Sequence, residues 1–208
     1  RYGRTWESGS GNLHFSLLLK PNNKDVVSVS VLSFIGAVAM VLVISDLSRT
    51  REIKMSYKWP NDILIDEKKV AGILLESDFC QNQINFVVIG IGVNIISNPN
   101  NMTYPTTNLK DEGINEIIPR ILLTRFLDKF SDLYKKWSDF GFTPIRNLWL
   151  HNAFNLNKEI LINLADKQLK GIFRDLDKDG NLILEQENKM MYSISSGEIF
   201  KWDSHKTK

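Results

Sequence analysis

The sequence predicts an α/β protein in which a mixed sheet is backed by helices and followed by a small all-β module. Segments in which apolar residues alternate with polar ones are typical of strands, and they lie near 13–19, 53–59, 63–76 and 84–95. Two regions have the length or the apolar spacing of helices, 26–44 and 117–151. After about residue 155 only short alternating segments remain, so we expect domains at residues 1–155 and 156–208.

The first predicted helix, Val26–Ile44, is almost continuously apolar. Its length makes a membrane span an alternative, but serines in its first half oppose that reading. Ser33 and Gly36 fall on one helical stripe of small residues, which suits close packing against a sheet. We therefore expect a buried helix and no membrane span.

The central segments read as four strands. Ile53–Trp59 alternates and is ended by Pro60, because proline cannot continue a ladder. The next two segments, Ile63–Asp66 and Val70–Glu76, form a predicted hairpin. A long strand at 84–95 contains two glycines, which allow close approach of a ligand or another backbone.

Helical spacing resumes at Ile117, and Gly141 supplies a stop. Thr143 and Pro144 predict the cap and first position of a second helix that reaches about His151. Beyond it, the short strands of the β module are predicted at 159–164, 169–176, 182–185 and 198–200.

Composition limits the class of protein. The 208 residues are 43% apolar and 24% charged, which excludes a disordered or fibrous chain. A net charge of +2 gives no overall basic field for nucleic acid. Cys80 is the single cysteine, so an internal disulfide is excluded and a reducing, cytoplasmic location is expected. The chain begins with Arg1 rather than Met, and we expect that its natural start is missing.

Arg1-Tyr-Gly-Arg4-Thr-Trp6 is the first segment that could carry chemistry. Arginine binds carboxylate or phosphate through two parallel hydrogen bonds, and Trp6 could stack on a ring. The alternative is an ordinary solvated basic terminus.

The second segment is Lys58-Trp-Pro-Asn61-Asp62 with Lys69 seven residues later. A hairpin would bring Asp62 and Lys69 together, and at ~4 Å with an effective dielectric of ~20 they attract by ~4 kcal/mol. Such a pair could hold the ammonium in place for an anionic substrate, with Gly72 leaving room for a ligand. The alternative is a surface hairpin with a weak salt bridge.

Two further sequence patterns match known binding motifs only in part. Gly90-Ile-Gly-Val-Asn94 lacks the third glycine of a dinucleotide fingerprint, although it suits a nearby nucleotide. Asp175–Gly180 resembles the start of a calcium-binding loop, but Gln186 stands where the loop requires glutamate. We therefore expect a hairpin turn there, and the three histidines lack metal-ligand spacing.

In this order and spacing, the Arg1–Trp6, Lys58–Asp62, Lys69–Leu74 and Gly90–Asn94 segments resemble bacterial biotin protein ligases. The resemblance runs to about Phe200. It covers only the last part of the family's glycine–arginine signature, and the family's earlier strand, which holds the biotin ureido ring, is absent from the chain. The resemblance implies a class II aminoacyl-tRNA synthetase-like catalytic domain, N-terminally incomplete, and an SH3-like barrel.

The resemblance also implies residue roles. Catalytic roles fall on Lys69, Arg4 and Asp62. Biotin-binding positions are Arg1, Lys69, Gly72 and Gly90. Nucleotide-binding positions are Trp6, Asn61 and Asn94. Mg²⁺ would accompany ATP near Asp62, with no direct metal signature in the sequence.

The implied reaction uses ATP and biotin to make biotinyl-5'-adenylate and transfers biotin to a lysine of the biotin carboxyl carrier protein of acetyl-CoA carboxylase. The absence of a Ser/His or Cys/His arrangement agrees, because no covalent enzyme nucleophile is needed. Two alternatives stay open: a lipoate–protein ligase of the same fold, and a biotin-responsive repressor if a helix-turn-helix precedes residue 1. No DNA-binding element is evident in these residues, and a homodimer is left open.

Overall fold

The computed structural model describes residues 9–20, 29–48, 53–80, 83–99, 102, 104–115, 117–164 and 167–201. Three helices and ten strands form in this part of the chain. The helices are α1 (Val31–Leu47), α2 (Pro119–Phe140) and α3 (Thr143–His151). The strands of the first sheet are β1 (Leu13–Leu19), β2 (Met55–Lys58), β3 (Asp62–Ile65), β4 (Lys68–Cys80) and β5 (Gln83–Val93). The second sheet contains β6 (Glu159–Asn163), β7 (Gln168–Leu176), β8 (Leu182–Glu185), β9 (Met191–Ile194) and β10 (Glu198–Lys201).

The first sheet has the order β1-β5-β4-β3-β2, and the second has the order β10-β6-β7-β8-β9. Every pair of named strands is antiparallel. The α/β class is confirmed, but within the described residues the expected mixed character is confined to two isolated parallel bridges. These bridges join Tyr57 to Ala153 and Lys69 to Thr106.

Helix α1 lies behind the first sheet and is buried around most of its surface, with 13 of its 17 residues buried. Gly36 lets it approach closely, because an added Cβ would lie 3.3 Å from the Ile73 Cδ1 atom of β4. The predicted close packing of a small-residue stripe is therefore observed. Among the described residues, no helix is both long and apolar enough to cross a membrane.

Helix α2 packs one amphipathic face onto the same side, and the Phe126 ring meets Phe15 of β1 edge-on with centroids 5.2 Å apart. Gly141 ends the helix as predicted, with φ of 71°. The predicted cap of α3 is wrong: Phe142 occupies the cap position, and no side chain caps the helix. Phe142 is placed there by packing, since its ring lies 5.3 Å from that of Phe34.

The β module joins the helical layer through Trp149 of α3. This side chain is 1% exposed, stacks on Tyr57 at 5.6 Å, and meets Phe173 of β7 at 6.4 Å. Strand β9 was not predicted. Of its four residues only Ile194 is buried, so the segment shows no alternation from which a strand could be recognised.

Candidate functional site

The open face of the first sheet, opposite the helices, carries a cavity of about 550 Å³. One row of residues in its floor crosses four strands, because the register pairs His14 with Gly92, Gly92 with Gly72, and Gly72 with Asp62. A second row pairs Ser16 with Gly90 and Gly90 with Leu74. Glycines at the centre of both rows leave the backbone accessible to a ligand.

Lys69 and Asp62 meet at one end of this floor, as the hairpin predicted. The Lys69 Nζ atom lies 2.6 Å from the Asp62 Oδ1 atom, and the two side chains are 14% and 19% exposed. Such partial burial screens the pair less than a surface salt bridge. The ammonium therefore keeps a fixed position while still lining the cavity.

A β-bulge turns Lys69 toward the cavity. Leu64 pairs with Lys69 and Ile63 with Ala71, so Val70 has no opposite residue on β3. Side chains on a regular strand alternate, and Lys69 would otherwise share the helix-facing side with Ala71. The extra residue changes this alternation, while the Val70 carbonyl accepts the Asn94 amide on the other side at 2.8 Å.

The backbone of Lys69 is held by the segment that returns after β5. Its amide donates to the Pro105 carbonyl at 2.9 Å, and its carbonyl accepts the Thr107 amide at 2.9 Å. Tyr104 in the same segment places its ring centroid 5.3 Å from Lys69 Nζ and 5.9 Å from Lys58 Nζ. An aromatic face at these distances attracts both ammonium groups.

Beside this segment, Glu112 accepts a 2.6 Å hydrogen bond from the Thr107 hydroxyl and pairs with Lys68. Lys68 thus has a structural partner, whereas its neighbour Lys69 faces the cavity. Two adjacent lysines on one strand are therefore assigned to different environments.

Asn94 is 2% exposed and lines the cavity. Its Nδ2 atom donates to the Thr107 carbonyl at 3.0 Å, but within the described residues its Oδ1 atom has no hydrogen-bond partner. A buried acceptor without a donor costs ~1–3 kcal/mol, so this oxygen is suited to receive a donor from a ligand.

Asn61 lies at the cavity wall beside Asp62. Its side-chain amide donates to the Ile73 carbonyl, and its own carbonyl accepts the Ile73 amide at 3.0 Å. These two bonds tie the turn after β2 to β4. Among the residues described here, none donates a hydrogen bond to the Asn61 Oδ1 atom, so this oxygen could accept one from a ligand.

The structure brings together six of the predicted site residues around this cavity: Asn61, Asp62, Lys69, Gly72, Gly90 and Asn94. The predicted residues Arg1, Arg4 and Trp6 lie outside the described residues.

Several lining residues were not predicted. His14 and Ser16 alternate with apolar residues on β1, a polarity signal that was available in the sequence. Burial lowers the pKa of His14 below its ordinary 6.5, which favours the neutral ring. Tyr104 and Glu198 reach the cavity through long-range folding and gave no local signal.

The Asp175–Gly180 pattern forms the predicted hairpin turn. Asp177 accepts the amides of Asp179 and Asn181 at 2.9 Å each, and also the Ser193 hydroxyl at 2.8 Å. Burial raises the pKa of Asp177, but these hydrogen bonds outweigh it and leave the pKa below the ordinary 3.8. Among the described residues, no group of three or more His, Cys, Asp or Glu could hold a metal ion.

Comparisons with known proteins agree with this geometry. Residues 1–94 match the biotin/lipoate A/B protein ligase family, and residues 156–202 match the biotin protein ligase C terminal domain. A biotin--[acetyl-CoA-carboxylase] ligase of Paracoccus denitrificans is 33% identical over 193 residues, which cover 88% of this chain and 78% of that protein.

The bifunctional ligase/repressor BirA of Bacillus subtilis is 31% identical over 207 residues, and the match spans 61% of its length. Among solved structures, biotin protein ligase from Aquifex aeolicus in complex with biotin and ATP has a TM-score of 0.80 at 25% identity. That match covers 96% of this chain and 82% of the Aquifex chain.

Proposed function

The chain belongs to the biotin protein ligase family, and from that premise we propose that it is an ATP-dependent biotin ligase. The biotin carboxylate attacks the α-phosphorus of ATP, which gives biotinyl-5'-adenylate and releases pyrophosphate. A lysine amine of the biotin carboxyl carrier protein then attacks the acyl carbon, and AMP leaves. The observation that carries this proposal is the Asp62–Lys69 pair at the end of a glycine floor.

The first step brings a carboxylate against a phosphate, so negative charge accumulates at one point. Lys69 supplies a fixed positive charge there, and Asp62 holds the ammonium in position. Gly72 and Gly90 leave room for biotin to lie against the sheet. Arg1 and Arg4 are assigned to the biotin and phosphate ends by resemblance alone.

The nucleotide is assigned to the side of the cavity where Asn61 and Asn94 lie. The support is the buried Asn94 Oδ1 atom, which needs a donor such as an adenine amino group or a ribose hydroxyl. Trp6 is assigned to the adenine through the resemblance. These assignments stay predictions.

Mg²⁺ is proposed to arrive with ATP. Mg²⁺ is commonly held by one or two carboxylates together with substrate phosphates rather than by a protein cage. Asp62 is a cavity carboxylate that fits this role. The metal would neutralise phosphate charge.

The alternative of a lipoate–protein ligase is disfavoured by the match of residues 156–202 to the biotin protein ligase C terminal domain. We propose a domain boundary near residue 155, since the second sheet begins at Glu159. A repressor role, a homodimer and a cytoplasmic location stay predictions.

Biotin-dependent exchange of pyrophosphate into ATP tests the first step. We expect exchange with biotin and none with lipoate, and calorimetric binding of biotin but not of lipoate. Incorporation of biotin into a carrier domain, compared with a carrier whose acceptor lysine is replaced by arginine, tests the second step. Exchange that depends on lipoate would overturn the assignment.

A further inference from the structure

The turn that connects β7 to β8, residues 177–181, contacts the motif at the end of the cavity. We call it the Asp177 turn. The Trp59 indole Nε1 donates a buried hydrogen bond of 3.0 Å to the Gly180 carbonyl. Trp59 is 2% exposed and stands two residues before Asn61. The Gly180 carbonyl of the β7–β8 hairpin thus fixes the Trp59 side chain, three residues before Asp62.

The Asp177 turn is shaped to present this carbonyl. Gly180 has φ of 79°, and a Cβ added there would lie 2.6 Å from the Phe34 Cε2 atom. Only glycine fits both the backbone conformation and the space. The Asp177 carboxylate closes the turn internally with four hydrogen bonds, two to amides and two to the side chains of Asn181 and Ser193.

Two further contacts hold the turn against the helices. The Ser30 hydroxyl donates to the Asp179 carbonyl at 2.5 Å, immediately before α1. Arg146 of α3 donates from Nε to the Leu176 carbonyl at 2.7 Å and pairs with Asp175. The turn is therefore attached to α1, to α3 and to Trp59, and it cannot shift without disturbing all three.

We propose that the Asp177 turn is a positioning element for the Asp62–Lys69 pair. It acts through the bond between the Gly180 carbonyl and Trp59, without touching substrate. Only the kinetic effects expected below depend on the proposed ligase function; the structural role of the turn does not. Loosening the turn would displace the segment from Trp59 to Asp62 and weaken its hold on the Lys69 ammonium, while the part of the glycine floor on β1 and β5 would stay in place.

Trp59→Phe keeps an aromatic ring but removes the indole donor together with part of the buried ring volume. We expect the KM for ATP in pyrophosphate exchange to rise about tenfold, the effect of ~1.4 kcal/mol, with a smaller rise in the KM for biotin, because Lys69 faces both substrates. Trp137→Phe is the matched control, because Trp137 lies on α2 and packs on Tyr134, away from the turn. It should lower the Tm without changing either KM.

A double-mutant cycle separates positioning from general stability. Asp177→Asn should raise the KM for ATP in the wild-type background but not in the Trp59→Phe background, while its effect on Tm persists in both. Equal KM shifts in both backgrounds, or an unchanged KM in Trp59→Phe, would overturn the proposal.

Hydrogen exchange provides a test that does not need catalysis. In Asp177→Asn, backbone amides of residues 58–73 should exchange faster than in wild type, and those of β1 should not. Unchanged exchange there would refute the proposal even if wild type lacked ligase activity. A wild type without biotin-dependent exchange would refute the proposed function alone.

Discussion

The β3–β4 hairpin and the β7–β8 hairpin each carry an aspartate at a strand end, but the two carboxylates have different surroundings. Asp62 pairs with Lys69, and both side chains line the cavity. Asp177 accepts four hydrogen bonds from its own turn and from Ser193. The Asp177 carboxylate is saturated by hydrogen bonds within the chain and stabilises the fold. The Asp62 carboxylate pairs with a lysine that lines the cavity, so it can take part in substrate binding.

The largest expected difference lies in the lysines of β4. Lys69→Ala removes the charge that faces both substrate anions, and we expect biotin-dependent pyrophosphate exchange to fall by ~100–1000-fold. Lys68→Ala is the matched control, because Lys68 pairs with Glu112. It should reduce exchange less than about threefold. Similar losses in both variants, or full exchange in Lys69→Ala, would contradict the role of Lys69.

Glycine substitutions in the two sheets should give the next largest contrast. In Gly90→Ala the new Cβ would lie 3.7 Å from the Leu74 carbonyl oxygen, an ordinary contact, so the free energy of unfolding should change by less than ~1 kcal/mol. The methyl group would occupy the cavity floor, and the KM for biotin should rise ~10-fold or more.

Gly171→Ala is the opposite case. Its Cβ would lie 2.5 Å from the Glu185 carbonyl oxygen of β8, which should destabilise the protein by ~1–3 kcal/mol. The KM for biotin of the folded fraction should stay unchanged. Urea denaturation and steady-state kinetics on both variants measure the contrast, and an unchanged KM in Gly90→Ala would place biotin elsewhere.

The smallest effect concerns acid stability. The folded pKa of Asp177 lies below the ordinary 3.8, so its stabilisation is present above about pH 4 and is lost as the pH falls through the folded pKa. Asp177→Asn should therefore cost ~0.5–1.5 kcal/mol at pH 7 and less at pH 3. Urea midpoints at both pH values test this. Asp132→Asn, an exposed position on α2, is the control and should show no such trend.

Local sequence patterns predicted most helices and strands, and they also predicted the Asp62–Lys69 end of the cavity. The Asp62–Lys69 contact follows from a short hairpin, and helix α2 follows from its apolar spacing. The remaining site residues depend on long-range pairing. His14 reaches the floor through the β1–β5 register, and Tyr104 through the pairing of the segment after β5 with Lys69. The alternation on β1 sets the polarity of His14, but no local pattern identifies Gly92 as its partner or places Tyr104 beside Lys69.

The errors have similar causes. Thr143 has the residue type of a helix cap, but the packing of Phe142 on Phe34 moves the start of α3. Strand β9 has a single buried residue and forms because β8 offers it a pairing edge. Tertiary contacts therefore decide where local preferences are weak.

The bulge at Val70 has a consequence for insertions and deletions. A regular ladder without the bulge would pair Val70 with Leu64 and Lys69 with Ile65, and it would direct the Lys69 ammonium toward the buried helix layer, although every motif residue would remain present. Inserting one residue into the paired strands between Asp62 and Lys69 would likewise shift the register by one and change the side to which the lysine points. In comparing or engineering such chains, the number of residues between the two charges is thus as strict a requirement as their identities.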